Sequence, residues 1–572
     1  MSNIPSASLL GPISRDAHPP MSDGDAMLEA GMCLECGGPC TSAPCVGACP
    51  AGIDIPGFIK DIAQGRPIDA AEKIFADNIL GGTCARVCPV EVLCQGSCVL
   101  LKEGRRPIQI GRLQRYATDR AISTGARVLS SPPAIRRPES VGIVGAGPAG
   151  LACAAELAQL GYHVVVYEAR DFPGGLVTRG IAPYKQQYKP LPEEVDQIRS
   201  LGVQLRFGVR VGKDISIDHL RASHKAIFLA CGMGDDMPAK IPGEWLPNVW
   251  ESLKFIEALK LGPTGGLAVG RRVAVIGGGN TAIDVAREAM MLKSAEVTSS
   301  NTAVDVARHA RMLGATEVAI LYRRGEADMP AFAHEIAAAR HEGVTIIPLV
   351  APVEFVGTDR VTGVKCVRMR LGAPDASGRG RPEPIPGSEF VVDADCVIKA
   401  IGQVPHRDLF TAMGLELKGS VVQVDKDMRT AVPDIYAGGD CINGGSTVVQ
   451  AVRDGRKAAR AIDRVIAGTQ RPPSPPASAS RVEHDNGTYR HFQGDYRLNT
   501  VPKLCKGCNI CVTGCPTDTL ALDSTNHIKV NDPATCVFCG LCEARCPDFA
   551  IWIARGATDR ARVFAKEGSP VS

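Results

Sequence analysis

The sequence lacks a basic opening stretch followed by an apolar one: MSNIPSASLLGPISRDAHPP has neither, so no secretion signal is expected. No apolar run approaches the ~20 residues needed to cross a bilayer, so no membrane association is expected. Net charge is small, +3 from 64 Lys and Arg against 61 Asp and Glu, which offers no electrostatic case for nucleic acid. No C-x-x-C occurs between residues 140 and 470, which excludes a redox dithiol of that kind there. Cysteine itself is plentiful, 22 in all, but unevenly spread. Nine lie in residues 33–98, eight in 505–546, and Cys153, Cys231, Cys366, Cys396 and Cys441 are scattered between. Two dense groups around a poor middle suit metal centres in a reducing compartment better than a disulfide scaffold. The length, 572 residues, gives a prior of roughly three to four domains in a soluble cytoplasmic chain.

The C-terminal group reads CKGCNICVTGCP and CVFCGLCEARCP. Each is C-x2-C-x2-C-x3-C-P, the two-cluster ferredoxin spacing, in which the fourth cysteine of each run serves the other cluster. One set is therefore Cys505, Cys508, Cys511 and Cys546, and the other Cys536, Cys539, Cys542 and Cys515. Iron in such clusters wants soft, charge-donating thiolates. Zinc knuckles are the competing reading, and the two intact Cys-Pro closures weigh against them.

SVGIVGAGPAGLACAAELAQLGYHVVVYE has the parts of a dinucleotide unit: strand, glycine turn, helix, second strand. Gly145 permits the tight turn, Gly147 lets the backbone approach a pyrophosphate, and Gly150 lets helix and strand pack closely. Glu168, 18 residues past Gly150, is placed to accept ribose hydroxyls. A second unit opens with RRVAVIGGGNTAIDVAREA, where Gly277 and Gly279 fill the first two places and Ala282 the third. Its following strand ends in Arg323 and Arg324 rather than a carboxylate. Arginine suits a 2′-phosphate that a carboxylate would repel. The first unit thus reads as FAD and the second as NADP(H), with NAD(H) possible and a plain solvated strand end as the competing view of the arginines.

NTAIDVAREAMML at 280–292 recurs as NTAVDVARHARML at 301–313, an offset of 21. Removing one copy restores the usual ~20-residue interval to the ribose-reading position. This predicts a duplication within one crossover: helix, break, helix, with an N-cap at 299–301.

With GAGPAG, GGL at 174–176, GGGNTA, YRR and AGGD in view, residues 28–467 resemble the small subunit of glutamate synthase and the N-terminal half of dihydropyrimidine dehydrogenase. The resemblance implies a helical domain with two four-iron clusters joined to interleaved FAD and NADPH domains. It assigns FAD to Gly145, Gly147, Gly150, Glu168, Leu176, Lys185, Asp440 and Thr447, and NADPH to Gly279, Asn280, Thr281, Arg323 and Arg324. It implies one cluster on Cys33, Cys36, Cys45 and Cys98, and a second on Cys49, Cys88, Cys94 and Gln114. Cys40 and Cys84 are left over; Cys40 competes with Cys45, which keeps the four-residue step to Cys49. Residues 501–553 resemble the ferredoxin-type subunit of 2-oxoacid:ferredoxin oxidoreductases.

The expected architecture is α/β: two interleaved Rossmann-like nucleotide-binding domains, preceded by an α-helical iron–sulfur domain and followed by an α+β bacterial-type ferredoxin domain. The boundaries read as a tail at 1–27, the helical two-cluster domain at 28–135, FAD at 136–265 with 413–467, NADP at 266–412, a linker at 468–500 and ferredoxin at 501–572. The Pro/Ser-rich linker implies a tail able to fold separately and dock elsewhere. The expected function is an electron-transfer flavoprotein moving electrons between NAD(P)H, FAD and four [4Fe-4S] clusters. Hydride transfer by FAD needs no catalytic side chain. The chain is expected to link partner subunits of a 2-oxoacid oxidoreductase, or a ferredoxin, to NAD(P). A glutamate synthase small-subunit-like protein with an added ferredoxin, and a non-catalytic iron–sulfur scaffold, are the alternatives.

Overall fold

Four short apolar stretches in the middle of the chain become buried parallel strands, because a strand covered on both faces must be apolar on both, and the more exposed Gln204–Arg206 pairs at their edge. In the computed structural model Ser140–Val144, His163–Tyr167, Gln204–Arg206, Ala226–Leu229 and Ile435–Ala437 form one sheet. Ser140–Val144 pairs in parallel with His163–Tyr167 on one side and Ala226–Leu229 on the other. Residues 19–37, 42–261, 269–291, 315–375, 378–468, 481–485, 488–493 and 496–555 are described.

A second five-stranded parallel sheet runs Val249–Glu251, Cys396–Lys399, Arg272–Ile276, Glu317–Tyr322, Thr345–Pro348. An antiparallel sheet of Val350–Gly357, Val361–Pro374, Gly380–Pro384 and Phe390–Asp393 extends this half. The expected boundaries shift accordingly. Val249–Glu251, expected in the FAD part, pairs with Cys396–Lys399 in the second sheet. Phe410, expected in the NADP part, packs with Ile227, Leu229 and Ile435 in the core of the first. The strand VWE is too short to carry a pattern, so only its pairing reveals where it belongs. The helix Asn280–Met291 follows the second glycine turn; the second copy of the duplication lies outside the described residues.

The chain divides into two compact units, Ser131–Asp463 and Pro19–Ser130 with the chain from Arg464 onward. The second unit joins two parts that the sequence separates. Helices Asp23–Gly31, Ile55–Ala63, Pro67–Asp77, Gly81–Val87 and Ile110–Ser123 enclose Phe58, Ile74, Phe75, Leu113 and Ala117. The first helix begins inside the expected tail: Ser22 caps it by accepting from Asp25 N–H, and Met21 and Ala26 are buried. Residues 481–500, expected within a linker, form Arg481–Asp485, Thr488–Gln493 and Tyr496–Thr500, which make a four-stranded antiparallel sheet with Ile551–Arg555. The sequence Asn-Gly at 486–487 is a hairpin signal that the neighbouring Pro/Ser composition masks. The ferredoxin part is also not separate: Gly37 N–H donates to Val537 O across 2.7 Å, and Lys102 Nζ donates to Pro516 O. Among the described residues no helix is long and apolar enough to cross a membrane.

Candidate functional site

The first nucleotide turn is shaped by glycines that no other residue can replace. Gly145 has φ +105°, and a Cβ there would lie 2.4 Å from Ala230 O. A Cβ on Gly150 would lie 2.0 Å from Gly145 O. At Gly147 the nearest atom to such a Cβ is Gly175 Cα at 3.9 Å, so the Gly174–Leu176 segment comes up against this turn. Glu168 is tied to the same turn, accepting from Ala146 N–H at 2.8 Å and from Arg170 N–H at 2.9 Å. Leu176 opens the short helix Leu176–Arg179. From the far end of the unit, Gly439 approaches the fingerprint helix, where its Cβ would meet Ala149 Cβ at 3.1 Å. Asp440 follows it, with a carboxyl raised by burial. Thr447 Oγ1 accepts from Gln450 N–H at the start of helix Val448–Ile466. Gly145, Gly147, Gly150, Glu168, Gly175 and Gly439 are thus gathered at one helix N-terminus, where backbone N–H groups and the helix dipole favour a pyrophosphate.

Lys185, assigned to the flavin by resemblance, is engaged elsewhere. Its Nζ lies 2.8 Å from both Asp284 and Glu335, carboxylates of the second nucleotide half. Tyr184 OH donates to Asp284 at 2.7 Å, Arg287 reaches Glu335 at 2.6 Å, and the Arg287 guanidinium stacks 4.3 Å over the Tyr184 ring. Below this network Glu288 accepts from Tyr184 N–H at 2.6 Å. Lys260 Nζ donates to Val177 O and Ile181 O. Burial drives the Lys260 ammonium down to about 7 and the Glu288 carboxyl up to about 7.

In the second turn Gly277 has φ +140°, with Ala400 O 2.2 Å from where a Cβ would sit. Gly278, which the fingerprint leaves free, lies against the Tyr322 ring at 2.5 Å. Gly279 faces open space, the room a pyrophosphate would take. Asn280 Oδ1 accepts from Phe332 N–H at 2.9 Å, and Thr281 sits beside it in the helix's first turn. The two arginines part company. Arg323 is exposed at the end of strand Glu317–Tyr322. Arg324 is buried, donating to Asp375 at 2.5 Å and to Gly380 O at 3.1 Å. Arg324 is therefore an internal strut of the neighbouring hairpin, whereas Arg323 is exposed.

The cysteines fall into four sets. Cys33, Cys36, Cys45 and Cys98 line one cavity. Burial, then the charges of Cys539, Cys33, Cys45 and Cys98, push the Cys36 thiol well up. Cys49, Cys88 and Cys94 form a second group, in which burial and the neighbouring Cys49 raise Cys94 to about 12. Cys84, left over in the sequence, belongs beside it: its hydrogen bond is the first cause of the raised Cys88 thiol, ahead of burial. Gln114 is buried on helix Ile110–Ser123, and its Nε2 donates to Gly81 O at 2.7 Å. With the nitrogen committed, the amide oxygen is the atom left for a metal. Cys40 lies outside the described residues.

The ferredoxin cysteines lie in two neighbourhoods. Cys515, Cys536, Cys539 and Cys542 line one cavity. Burial and then the charges of Cys546, Cys505 and Cys508 raise Cys511 to about 11. All described cysteines are free thiols. Most of these sulfurs are buried or half-buried, with Cys508 exposed, and such soft donors suit iron–sulfur clusters, whose iron stabilises thiolates.

The family description "Pyridine nucleotide-disulphide oxidoreductase" matches residues 139–455, "Dihydropyrimidine dehydrogenase domain II, 4Fe-4S cluster" matches 14–126, and "4Fe-4S dicluster domain" matches 504–550. The chain is 36% identical over 461 residues to the glutamate synthase [NADPH] small chain of Halomonas elongata, covering 78% of this chain and 92% of that one. It is 35% identical over 464 residues to the same subunit of Escherichia coli, covering 78% and 93%. It is also 35% identical over 458 residues to the NADP(+)-dependent formate dehydrogenase subunit beta of Moorella thermoacetica, covering 75% and 60%. The chain belongs to the glutamate synthase small-chain family of FAD- and NADPH-dependent iron–sulfur oxidoreductases, with a C-terminal 4Fe-4S domain added.

Proposed function

We propose that the chain is the NADPH-linked electron-transfer subunit of a larger enzyme, connecting NADP(H) through FAD and four [4Fe-4S] centres to a 2-oxoacid oxidoreductase or a ferredoxin. The observation that carries this reading is the crossed ferredoxin arrangement, Cys511 beside Cys546 and Cys515 beside Cys536, Cys539 and Cys542. It gives a flavoprotein body a one-electron outlet in the part matched by the 4Fe-4S dicluster description, residues 504–550. When bound, the flavin exchanges a hydride with the nicotinamide and single electrons with the clusters.

The chain's own residues bind and orient. Gly145, Gly147, Gly150 and Glu168, with Leu176, Asp440 and Thr447, hold FAD. Gly277, Gly279, Asn280 and Thr281 hold the dinucleotide, and Arg323 reads its 2′-phosphate. Cys33, Cys36, Cys45 and Cys98 serve one N-terminal centre, and Cys49, Cys88, Cys94 and Gln114 the other. The neutral Gln114 amide in place of a thiolate changes the charge of that centre and so its potential.

A second reading, supply of electrons to a glutamate synthase large subunit, is favoured by the identity to the two small chains. The test is an anaerobically reconstituted full chain mixed with NADPH and then with each acceptor. Flavin bleaching followed by reduction of a 2-oxoacid oxidoreductase or ferredoxin is expected. Transfer only to the glutamate synthase large subunit would establish the second reading. A flavin that NADPH does not bleach would leave a non-catalytic scaffold.

A further inference from the structure

The two ligand-bearing loops that meet in the second unit are those of Cys36 and of Cys536–Cys539. Gly37 directly follows Cys36, and its N–H donates to the carbonyl of Val537, which directly follows Cys536, at 2.7 Å. The acceptor side is buried, Val537 4% exposed and Phe538 1%, and Gly37 is half-buried. Phe538 turns its backbone into the left-handed region, φ +48°, and packs its ring 5.1 Å from Tyr496. That strained residue is anchored in the ferredoxin core, beside the carbonyl offered to Gly37. A second tie, Lys102 to Pro516 O, sets the residue after Cys515 against the segment that follows Cys98. Each tie therefore joins the immediate neighbourhood of one N-terminal ligand to that of one ferredoxin ligand.

We infer that this contact is a wired junction: the centre on Cys33, Cys36, Cys45 and Cys98 exchanges electrons directly with the centre on Cys515, Cys536, Cys539 and Cys542, through the hydrogen bond between Gly37 and Val537. The inference rests on the four-centre reading and adds an order to it. One electron and no proton crosses; the N-terminal centre is oxidised by one electron and the ferredoxin centre reduced by one, with NADPH as the source. The remaining ferredoxin set becomes the outer end of the relay. Its Cys508 is exposed, as are Leu504 and Ile510 near it in sequence and Phe549 near Cys546. The tail is thus a docked extension of the N-terminal domain and not a freely swinging carrier.

The experiment uses the full reconstituted chain with a protease site placed between Gly468 and Arg481. After anaerobic cleavage, the two pieces should co-elute on gel filtration at micromolar concentration, both retaining iron. In dithionite-reduced protein, cut or uncut, electron paramagnetic resonance should show magnetic interaction between clusters. Lys102→Glu, which replaces no ligand, should weaken co-elution of the cut pieces at least tenfold in concentration while leaving iron content unchanged. Separation of an iron-loaded ferredoxin piece from the wild-type chain would overturn the junction. So would about sixteen irons with no interaction after cleavage or with co-elution insensitive to Lys102→Glu; that result leaves the four-centre reading standing, whereas about eight irons would overturn both.

Discussion

Replacing Arg323 alone tests how cofactor choice is made. Arg323 is exposed at the strand end, while its neighbour Arg324 is committed to Asp375 and Gly380. A charge-assisted contact to the 2′-phosphate contributes about 1.5–3 kcal/mol, and each ~1.4 kcal/mol is tenfold. Arg323→Ala should therefore lower kcat/KM for NADPH by about 10–150-fold and change NADH by less than about twofold, since NADH has no phosphate to lose. Arg324→Ala should act on stability instead. It removes the shared donor of a half-buried carboxylate and a carbonyl, at about 1.5–3 kcal/mol, which lowers Tm by roughly 2–4 °C per kcal/mol in a domain of this size. The assay is dye reduction by each nucleotide, with calorimetry on the same samples. If Arg324→Ala shifts the NADPH-to-NADH ratio as far as Arg323→Ala while leaving Tm unmoved, the division of labour is wrong.

Lys260 and Glu288 make a pH prediction. Glu288 has its folded pKa raised from 4.5 to about 7, so its contribution to stability falls as pH rises through that window. Lys260 has its folded pKa lowered from 10.5 to about 7, so its contribution rises with pH above 7. The pair is least favourable near pH 7, and the Tm gain of a Lys260→Met/Glu288→Gln chain over wild type should peak there; a gain that is flat from pH 5 to 9 would refute it. Cys546→Ser should remove about four irons and leave NADPH bleaching of the flavin intact, as read by iron analysis and stopped-flow absorbance. Gln114→Leu should keep the flavin but alter the reduced-cluster magnetic spectrum, and it also loses the bond to Gly81 O, costing about 0.5–1.5 kcal/mol; an unchanged spectrum would exclude the amide as a ligand.

The glycine turns and the presence of a dicluster ferredoxin part were legible because each residue type answers a local demand. Gly145 must hold a positive φ, and C-x2-C-x2-C-x3-C carries its own geometry. The partners of Arg324, Asp375 and Gly380, were not legible because they lie some fifty residues on, in a hairpin with no motif. Lys185 was carried to the flavin by family resemblance, whereas Asp284 and Glu335 claim it through contacts about 100 and 150 residues away. Cys84 has no spacing signal, since its proximity to Cys88 comes from sharing the helix Gly81–Val87 and its cap. The strands at 481–500 were hidden by a flanking Pro/Ser run that suggested a tether.

The flavin sheet is closed by Ile435–Ala437 against Ala226–Leu229, and Gly455 is packed so tightly on the fingerprint helix that a Cβ would lie 2.1 Å from Ala149 O. A ribosome delivers these pieces far apart in time. From Leu229 to Ala437 is 437 − 229 = 208 residues, roughly 10–40 s of translation at about 5–20 residues per second. During that interval the nascent chain holds a phosphate-binding turn whose outer strand and covering helix do not yet exist. The nicotinamide half emerges complete in between and can fold first, so the second cofactor's domain is ready before the first cofactor's. Maturation of the flavin site is therefore a late event in the life of the chain, and a truncation before Val448 should abolish flavin retention however perfect its glycine motif.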